Sequence, residues 1–287
     1  MQHDTFRAIS SIEVTAKHAL ENEGLETMFQ QGKRVYLADL GTHDVPALIR
    51  AARRLTDSGY RPVPHIAARR MADAQDYETR IAGFTQDAGA TEFLMVAGSP
   101  EKQVGPFPSS LELLRTDVLR ARGVADIVVA GHPEGSPDFP DSALLPSLRE
   151  KVEIAARDDM NLKIATQFSF DADRIIAWEQ ELKAAGITAP IDIGVAGPAK
   201  LTTLIKYATL CGVGQSLSFL KKRGGALMAL ATKYAPTDVV EPLERHIAEH
   251  PESLIKAIHM FPFGGLKGAS DWLYEHGNWQ RDLPAAA

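Results

Sequence analysis

Leu162-Lys163-Ile164-Ala165-Thr166-Gln167-Phe168 is a short, largely apolar run. Asp171 follows as a candidate helix N-cap, and Ala172–Ala185 is amphipathic. Gly186 stands where a helix would stop, and Pro190–Gly194 is apolar again. A short buried run, a helical crossover and a second buried run make a parallel βαβ unit. The same alternation extends in both directions. Upstream lie Ser10–Val14, Arg34–Asp39, Pro62–Ile66, Glu92–Ala97 and Asp126–Gly131; downstream lies Ile255–Met260. Between them, Val45, Leu48, Ile49, Ala52 and Leu55 form a 3.6-residue stripe over Val45–Asp57, stopped by Ser58-Gly59. Ala74–Ala88, Ser110–Arg122 and Ser142–Arg157 behave alike, with Gly89 and Gly123 just past two of the helix ends. Strand and helix repeated eight times predict a closed (βα)8 barrel, a TIM barrel of α/β class. Lys200–Pro251 reads as helices without a strand, so extra helices are expected before the last strand. The alternative is an open doubly wound sheet. No G-x-G-x-x-G follows the first strand, which weighs against a dinucleotide-binding version of it.

A chain of 287 residues suits one such barrel, which takes about 250. Residues 1–287 are accordingly read as one catalytic domain. The net charge of −6 and the absence of a Lys/Arg run give no footprint for nucleic acid. The apolar runs fall far short of the roughly 20 residues that span a bilayer. Met1–Ser10 has no apolar core of a signal peptide, so a cytoplasmic protein is expected. Cys211 is the single cysteine, which rules out an intrachain disulfide and a cysteine-built zinc site.

In a (βα)8 barrel the site lies at the C-terminal ends of the strands. The polar residues there are Glu13, Asp39, His65, Ser99, His132 with Glu134, Gln167 and His259. Glu13 sits inside Ile12-Glu13-Val14, where partial desolvation is expected to raise its pKa and fit it as a general acid. An ion pair with a Lys or Arg is the structural alternative. His65 is open between packing and catalysis. His65, His132 and His259 would make a metal site only by converging at the mouth, and their spacing is no local metal motif. No metal is therefore assigned. Gly131-His132-Pro133-Glu134-Gly135-Ser136-Pro137 is a stiff polar loop, expected to bind a ligand. Gln167 offers a donor and an acceptor to a flat heteroaromatic edge. Phe261-Pro262-Phe263-Gly264-Gly265-Leu266-Lys267-Gly268 resembles a glycine-rich anion loop.

Four segments, in order, resemble the methylenetetrahydrofolate reductase family. Ser11-Ile12-Glu13-Val14-Thr15 is similar to its Phe-Glu-Phe-x-Pro, and Pro64-His65-Ile66 to its Pro-His-Leu. Val129–Pro137 is similar to Ala-Gly-Tyr-Pro-Glu-x-His-Pro, and Ala165–Asp171 to Ile-Thr-Gln-Phe-Phe-Phe-Asp. The resemblance implies FAD at the strand ends, NAD(P)H as hydride source, a reduced folate as substrate and a possible homo-oligomer. It implies that Glu13 donates the proton that opens the bridging ring, and that Gln167 contacts the pterin. It places His65, Ala97, Gly98, His132, Glu134 and Lys151 at flavin-contacting positions, and Ser99 and Phe219 toward the folate.

The chain also departs from the pattern. Val96-Ala97-Gly98-Ser99 stands where the family has Leu-Arg-Gly-Asp, and His132 replaces a tyrosine. In Arg149-Glu150-Lys151 an acid replaces a base, so Glu150 is expected to repel a flavin diphosphate. A flavin-independent folate oxidoreductase and a folate-binding barrel without redox chemistry stay open. A folate-dependent methyltransferase is the other rival, but its Asp/Asn-rich pterin site is not found.

Overall fold

The computed structural model describes residues 9–98, 102–211, 213, 233–277 and 279–280. In chain order these give β1 (Ser11–Thr15), α1 (Ala16–Glu21), α2 (Leu25–Met28), β2 (Arg34–Ala38), α3 (Val45–Asp57) and β3 (Arg61–Ala67). Next come α4 (Ala74–Gln86), β4 (Glu92–Val96), α5 (Ser110–Leu114), α6 (Val118–Ala121), β5 (Asp126–Gly131), α7 (Asp141–Arg157) and β6 (Asn161–Thr166). The chain continues through α8 (Ala172–Ala184), β7 (Ile191–Ala196), β8 (Ala199–Lys200) and α9 (Leu201–Leu210). It ends with β9 (Lys233–Tyr234), α10 (Thr237–Glu249), β10 (Ile255–Phe261) and α11 (Leu266–His276). The barrel closes in the order β1-β10-β7-β6-β5-β4-β3-β2, parallel throughout, as the alternation predicts.

Two expectations need correction. Ser110–Arg122 is not one helix: α5 ends at Leu114 and α6 begins at Val118. The break is held locally, because the Thr116 hydroxyl donates to the Leu113 carbonyl at 2.7 Å in place of the next helical turn. The stretch before the last strand is not purely helical either, since β8 and β9 pair antiparallel. Two-residue strands carry too little pattern to be read from sequence.

Period-two alternation sorts every barrel strand into two faces. Ile12, Val35, Ile66, Phe93, Ile127, Ile164, Ile193 and Ile258 pack outward in the cluster under the helices. Tyr36, Val63, Leu94, Val128 and Ala165 form a separate cluster that fills the barrel. Glu13, His65 and His259 share the inward phase, closer to the C-terminal ends of their strands. Asp171 caps α8 as expected, accepting from the Arg174 N–H at 3.1 Å. Gly194 permits a close approach of β7 to the end of β6. A Cβ there would stand 2.3 Å from the Thr166 carbonyl oxygen.

At the opposite end of the interior lies a buried ionic group. Arg34 Nε is 2.6 Å and Lys163 Nζ 2.9 Å from the two oxygens of Glu92, whose side chain is 3 % exposed. Asp192 is buried near them, and its pKa is raised by burial against the pull of Lys163 and Arg34.

Candidate active site

Two groups of residues meet at the mouth of the barrel. The first surrounds Glu13. The chain turns immediately after it because Thr15 caps α1, its hydroxyl accepting from the His18 N–H at 3.2 Å. Glu13 Oε2 is 3.3 Å from His65 Nε2 and 3.8 Å from His259 Nε2. Both are ion-pair distances, and neither imidazole meets hydrogen-bond geometry. Beneath them, Ser11 Oγ lies 2.9 Å from His259 Nδ1. The Tyr36 ring packs 4.3 Å from the His259 ring, centroid to centroid.

This arrangement overturns the expected direction of the Glu13 pKa. Burial alone raises it, but the nearby His259 and His65 imidazoles outweigh burial and bring it down to about 2. Glu13 is therefore an anion at neutral pH. Its partners are histidines, not the Lys or Arg of the structural alternative.

The second group lines a cavity of about 730 Å³ beside the ends of β4, β5 and β6. That volume lies in the range of small-molecule sites. Ala97, Gly98, His132, Glu134, Lys151 and Gln167 all line it. Arg69 braces the wall. Its guanidinium donates to the Pro108 carbonyl at 2.8 Å, lies 3.6 Å from Asp138 and sits over the Phe139 ring.

Lys151 is the cation of this cavity. It is 9 % exposed and has no hydrogen bond or ion pair among the described residues. Burial brings its pKa down to about 8, with Glu112 opposing, so it stays mostly charged at pH 7. His132 is pushed down to about 4, first by burial and then by the Lys151 charge, with Asp138 opposing. It is a neutral ring at pH 7. Arg174 also lines the cavity but is tied to Glu181 at 2.7 Å. A desolvated ammonium without a counter-ion calls for an anion from outside the chain.

Glu150 does not face this cavity, contrary to expectation. It pairs with Arg115 at 2.7 Å, while Arg149 donates to the Ala185 carbonyl. On α7 the buried stripe is Leu148, Lys151, Ile154 and Ala155. Glu150 is one residue, about 100°, off that stripe. The predicted repulsion of a diphosphate therefore falls away.

Gln167 spends half of its amide locally, since Oε1 accepts from the Phe168 N–H at 3.1 Å. Nε2 makes no hydrogen bond to another described residue and Oε1 keeps a second lone pair, so Gln167 can still offer a donor and an acceptor. Gln167→Leu should weaken binding of a heteroaromatic ligand roughly tenfold, the scale of one hydrogen bond, as read by titration calorimetry.

Cys211 joins the two groups. It lines the cavity, and its thiol is pushed up to about 11 by burial and then by the Glu13 charge. His65 and Glu13 are absent from the cavity wall, and His65 is held in its ion pair with Glu13. His65, His132 and His259 do not converge, because His132 stands with Lys151 while the others flank Glu13. Among the described residues no group of three or more His, Cys, Asp or Glu could hold a metal ion. Ser99 and Phe219 lie outside the described residues. His259 is the functional residue that the sequence left without a role. Its signal was its place on the inward phase of the last strand, two residues after Ala257. No helix among the described residues is long and apolar enough to cross a membrane.

The model of the methylenetetrahydrofolate reductase family matches residues 64–222, more than half of the chain. Methylenetetrahydrofolate reductase 1 of Schizosaccharomyces pombe is 31% identical over 134 residues. That match covers 44% of this chain and 21% of the yeast protein, so the chain spans only a fraction of its relative's length. Among solved structures, an uncharacterized protein from Clostridium thermocellum that binds two copies of 5-methyl-5,6,7,8-tetrahydrofolic acid superposes with a TM-score of 0.59. It is 9% identical, with 93% of this chain and 96% of that one covered. A GH18 chitinase from Pseudoalteromonas aurantia superposes with a TM-score of 0.54 at 13% identity, covering 93% and 97%. At such identities the superpositions establish the barrel and nothing finer.

Proposed function

The chain belongs to the methylenetetrahydrofolate reductase family, and from that premise we propose that it interconverts 5,10-methylenetetrahydrofolate and 5-methyltetrahydrofolate by hydride transfer. NAD(P)H is the hydride partner and FAD the carrier in this reading. The observation that carries it is the placement of an anionic Glu13, backed by two imidazoles, next to a cavity that presents the Gln167 amide and an unpaired Lys151. The methyltetrahydrofolate bound by the Clostridium thermocellum protein supports a reduced folate as ligand.

The lining of the cavity suits FAD. Lys151 supplies a buried cation with no counter-ion among the described residues, and Ala97 and Gly98 line the β4 end of the cavity, where a flat ring system would lie. With Glu150 turned toward Arg115, these residues fit the group. Bound FAD would supply a ring that accepts hydride from the nicotinamide and returns it to the one-carbon unit. Lys151 would hold a phosphate, and neutral His132 would offer a ring nitrogen to a polar edge of the ligand. Gln167 Nε2 would donate to an acceptor on the pterin. Glu13 would move a proton at N10.

One observation favours a second reading, a flavin-independent folate oxidoreductase. Arg174 is already paired, so among the described residues Lys151 alone lines the cavity as an unpaired cation for a diphosphate, while Glu134, Asp138, Asp141 and Glu181 share the wall.

The deciding experiment is an absorption spectrum of the purified protein with added FAD, before and after 5-methyltetrahydrofolate. Bound-flavin bands that bleach on adding the folate are expected. A protein that takes up FAD without bleaching, or that binds no folate by calorimetry, overturns the proposal. Folate turnover with NAD(P)H but no flavin uptake selects the second reading. Two substitutions on one helix refine the site. Lys151→Met should weaken FAD retention roughly 10- to 100-fold, as loss of a charged hydrogen bond does. Glu150→Arg should leave retention unchanged, since that side chain points away. Both are read by equilibrium dialysis.

A further inference from the structure

We infer that His65 and His259 together store the proton that Glu13 delivers, and that Glu13 is a relay between them and the ligand. The inference rests on the proposed folate reaction only for the identity of the atom that receives the proton.

The geometry separates the two oxygens of Glu13. Both imidazoles address Oε2, at 3.3 and 3.8 Å. Oε1 has no partner among the described residues, and the side chain keeps 19 % of its surface exposed, more than His65 at 14 % or His259 at 2 %. Of the three groups Glu13 is thus the one best placed to touch a ligand. His259 cannot reach one. Its Nδ1 is pinned by Ser11, and its ring is packed by Tyr36 and by the edge of Phe261 at 4.8 Å. With Nδ1 held by a hydroxyl, Nε2 is the atom left to exchange a proton with the carboxylate.

The charged and titratable groups that face this cluster come from three elements. Tyr36 faces the imidazoles from β2, with an uncharged hydroxyl whose pKa burial raises well above its usual value. Asp192 on β7 feels the His259 charge, and Cys211 at the end of α9 feels that of Glu13. No Lys or Arg among the described residues pairs with Glu13, so the histidines are its counter-ions. A carboxylate held near pKa 2 by those counter-ions has no stored proton of its own at pH 7.

The step balances without another reagent. An imidazolium Nε2–H first gives its proton to the Glu13 carboxylate at Oε2, which makes Glu13 a neutral carboxyl. The bond between the bridging methylene and N10 then breaks, and its electron pair takes that same proton from the carboxyl once it has turned to face the ligand. The histidine ends neutral, Glu13 ends as it began, and the bridge carbon remains as an iminium on N5, ready for hydride. The reverse reaction returns the proton along the same path.

Two measurements test this. The first needs no turnover: histidine titration by NMR in the wild type and in Glu13→Gln. Removing the carboxylate should lower the midpoints of both imidazoles by roughly one pH unit or more. Unmoved midpoints overturn the store, whatever the folate assays give. The second is the pH profile of methylenetetrahydrofolate reduction by FAD-loaded enzyme in His65→Gln, His259→Gln and the double variant. The double variant should lose about 100-fold in kcat with KM little changed, and should lose the limb that falls as pH rises. A wild-type kcat and profile in a folded double variant overturns the relay. If the double variant does not fold, the NMR midpoints decide. If the wild type neither binds nor turns over folate, the proposed function falls while the NMR still decides the proton store.

Discussion

Glu13→Gln is expected to lower turnover at least about 100-fold while leaving ligand binding largely intact, measured by steady-state kinetics beside calorimetry. Glutamine matches glutamate in shape, so the packing of β1 against β2 and β10 should survive. What it cannot do is accept a proton and release it to the ligand. The loss should therefore fall on kcat rather than KM, the mark of a group that acts in the transition state. Near-normal turnover would remove Glu13 from the chemistry. The variant also separates two kinds of general acid. A carboxyl kept protonated by burial would lose its activity as the pH rises through a raised pKa. Glu13 is instead held down to about 2, burial opposing and the two histidines prevailing. Over the working range its own ionisation should contribute no limb to the pH profile.

The contrast shows what the sequence could and could not reveal. The barrel was legible because buried parallel strands are short continuous apolar runs, and the eight predicted runs match the eight barrel strands to within one or two residues. Glu13, Gln167 and the Gly131–Pro137 loop were legible because strand ends in a barrel converge on one face. The pKa direction was not legible. It depends on His259, whose link to β1 through Ser11 joins residues 248 positions apart. Only closure of β1 onto β10 brings them together. The orientation of α7 was legible in principle. Lys151 falls on the stripe of Leu148 and Ala155, and Glu150 does not, whereas the comparison with the family's basic pair carries charge but no helical phase. The short pairing of β8 with β9 left no periodic trace.

Glu92→Ala should destabilise the fold by about 3 kcal/mol, read from urea unfolding at pH 7. The carboxylate is the counter-ion of Arg34 and Lys163 inside the barrel, and its removal leaves two cations short of one partner. Breaking a buried pair this way costs more than the pair itself contributes, because the remaining charges stay desolvated. The figure sits at the lower end of the usual range because Asp192 stands close enough to feel both cations. In the variant Asp192 should become their counter-ion, and its raised pKa should fall. The pH dependence follows from the same groups. Burial raises the Glu92 pKa, but Lys163 and Arg34 outweigh it, so Glu92 is more acidic folded than unfolded. Its contribution is present above the unfolded carboxylate value near 4.5 and is lost as pH falls through the lower folded value. Glu13 behaves alike down to about 2. Asp192 runs the other way, since its raised pKa makes its ionised form a cost that disappears on acidification. The wild type should therefore lose stability between about pH 5 and pH 2, and the variant should lose less over that interval, its Glu92 share being gone already. A variant as stable as the wild type at pH 7, with the same acid slope, would mean that the barrel's ionic floor is held by packing alone.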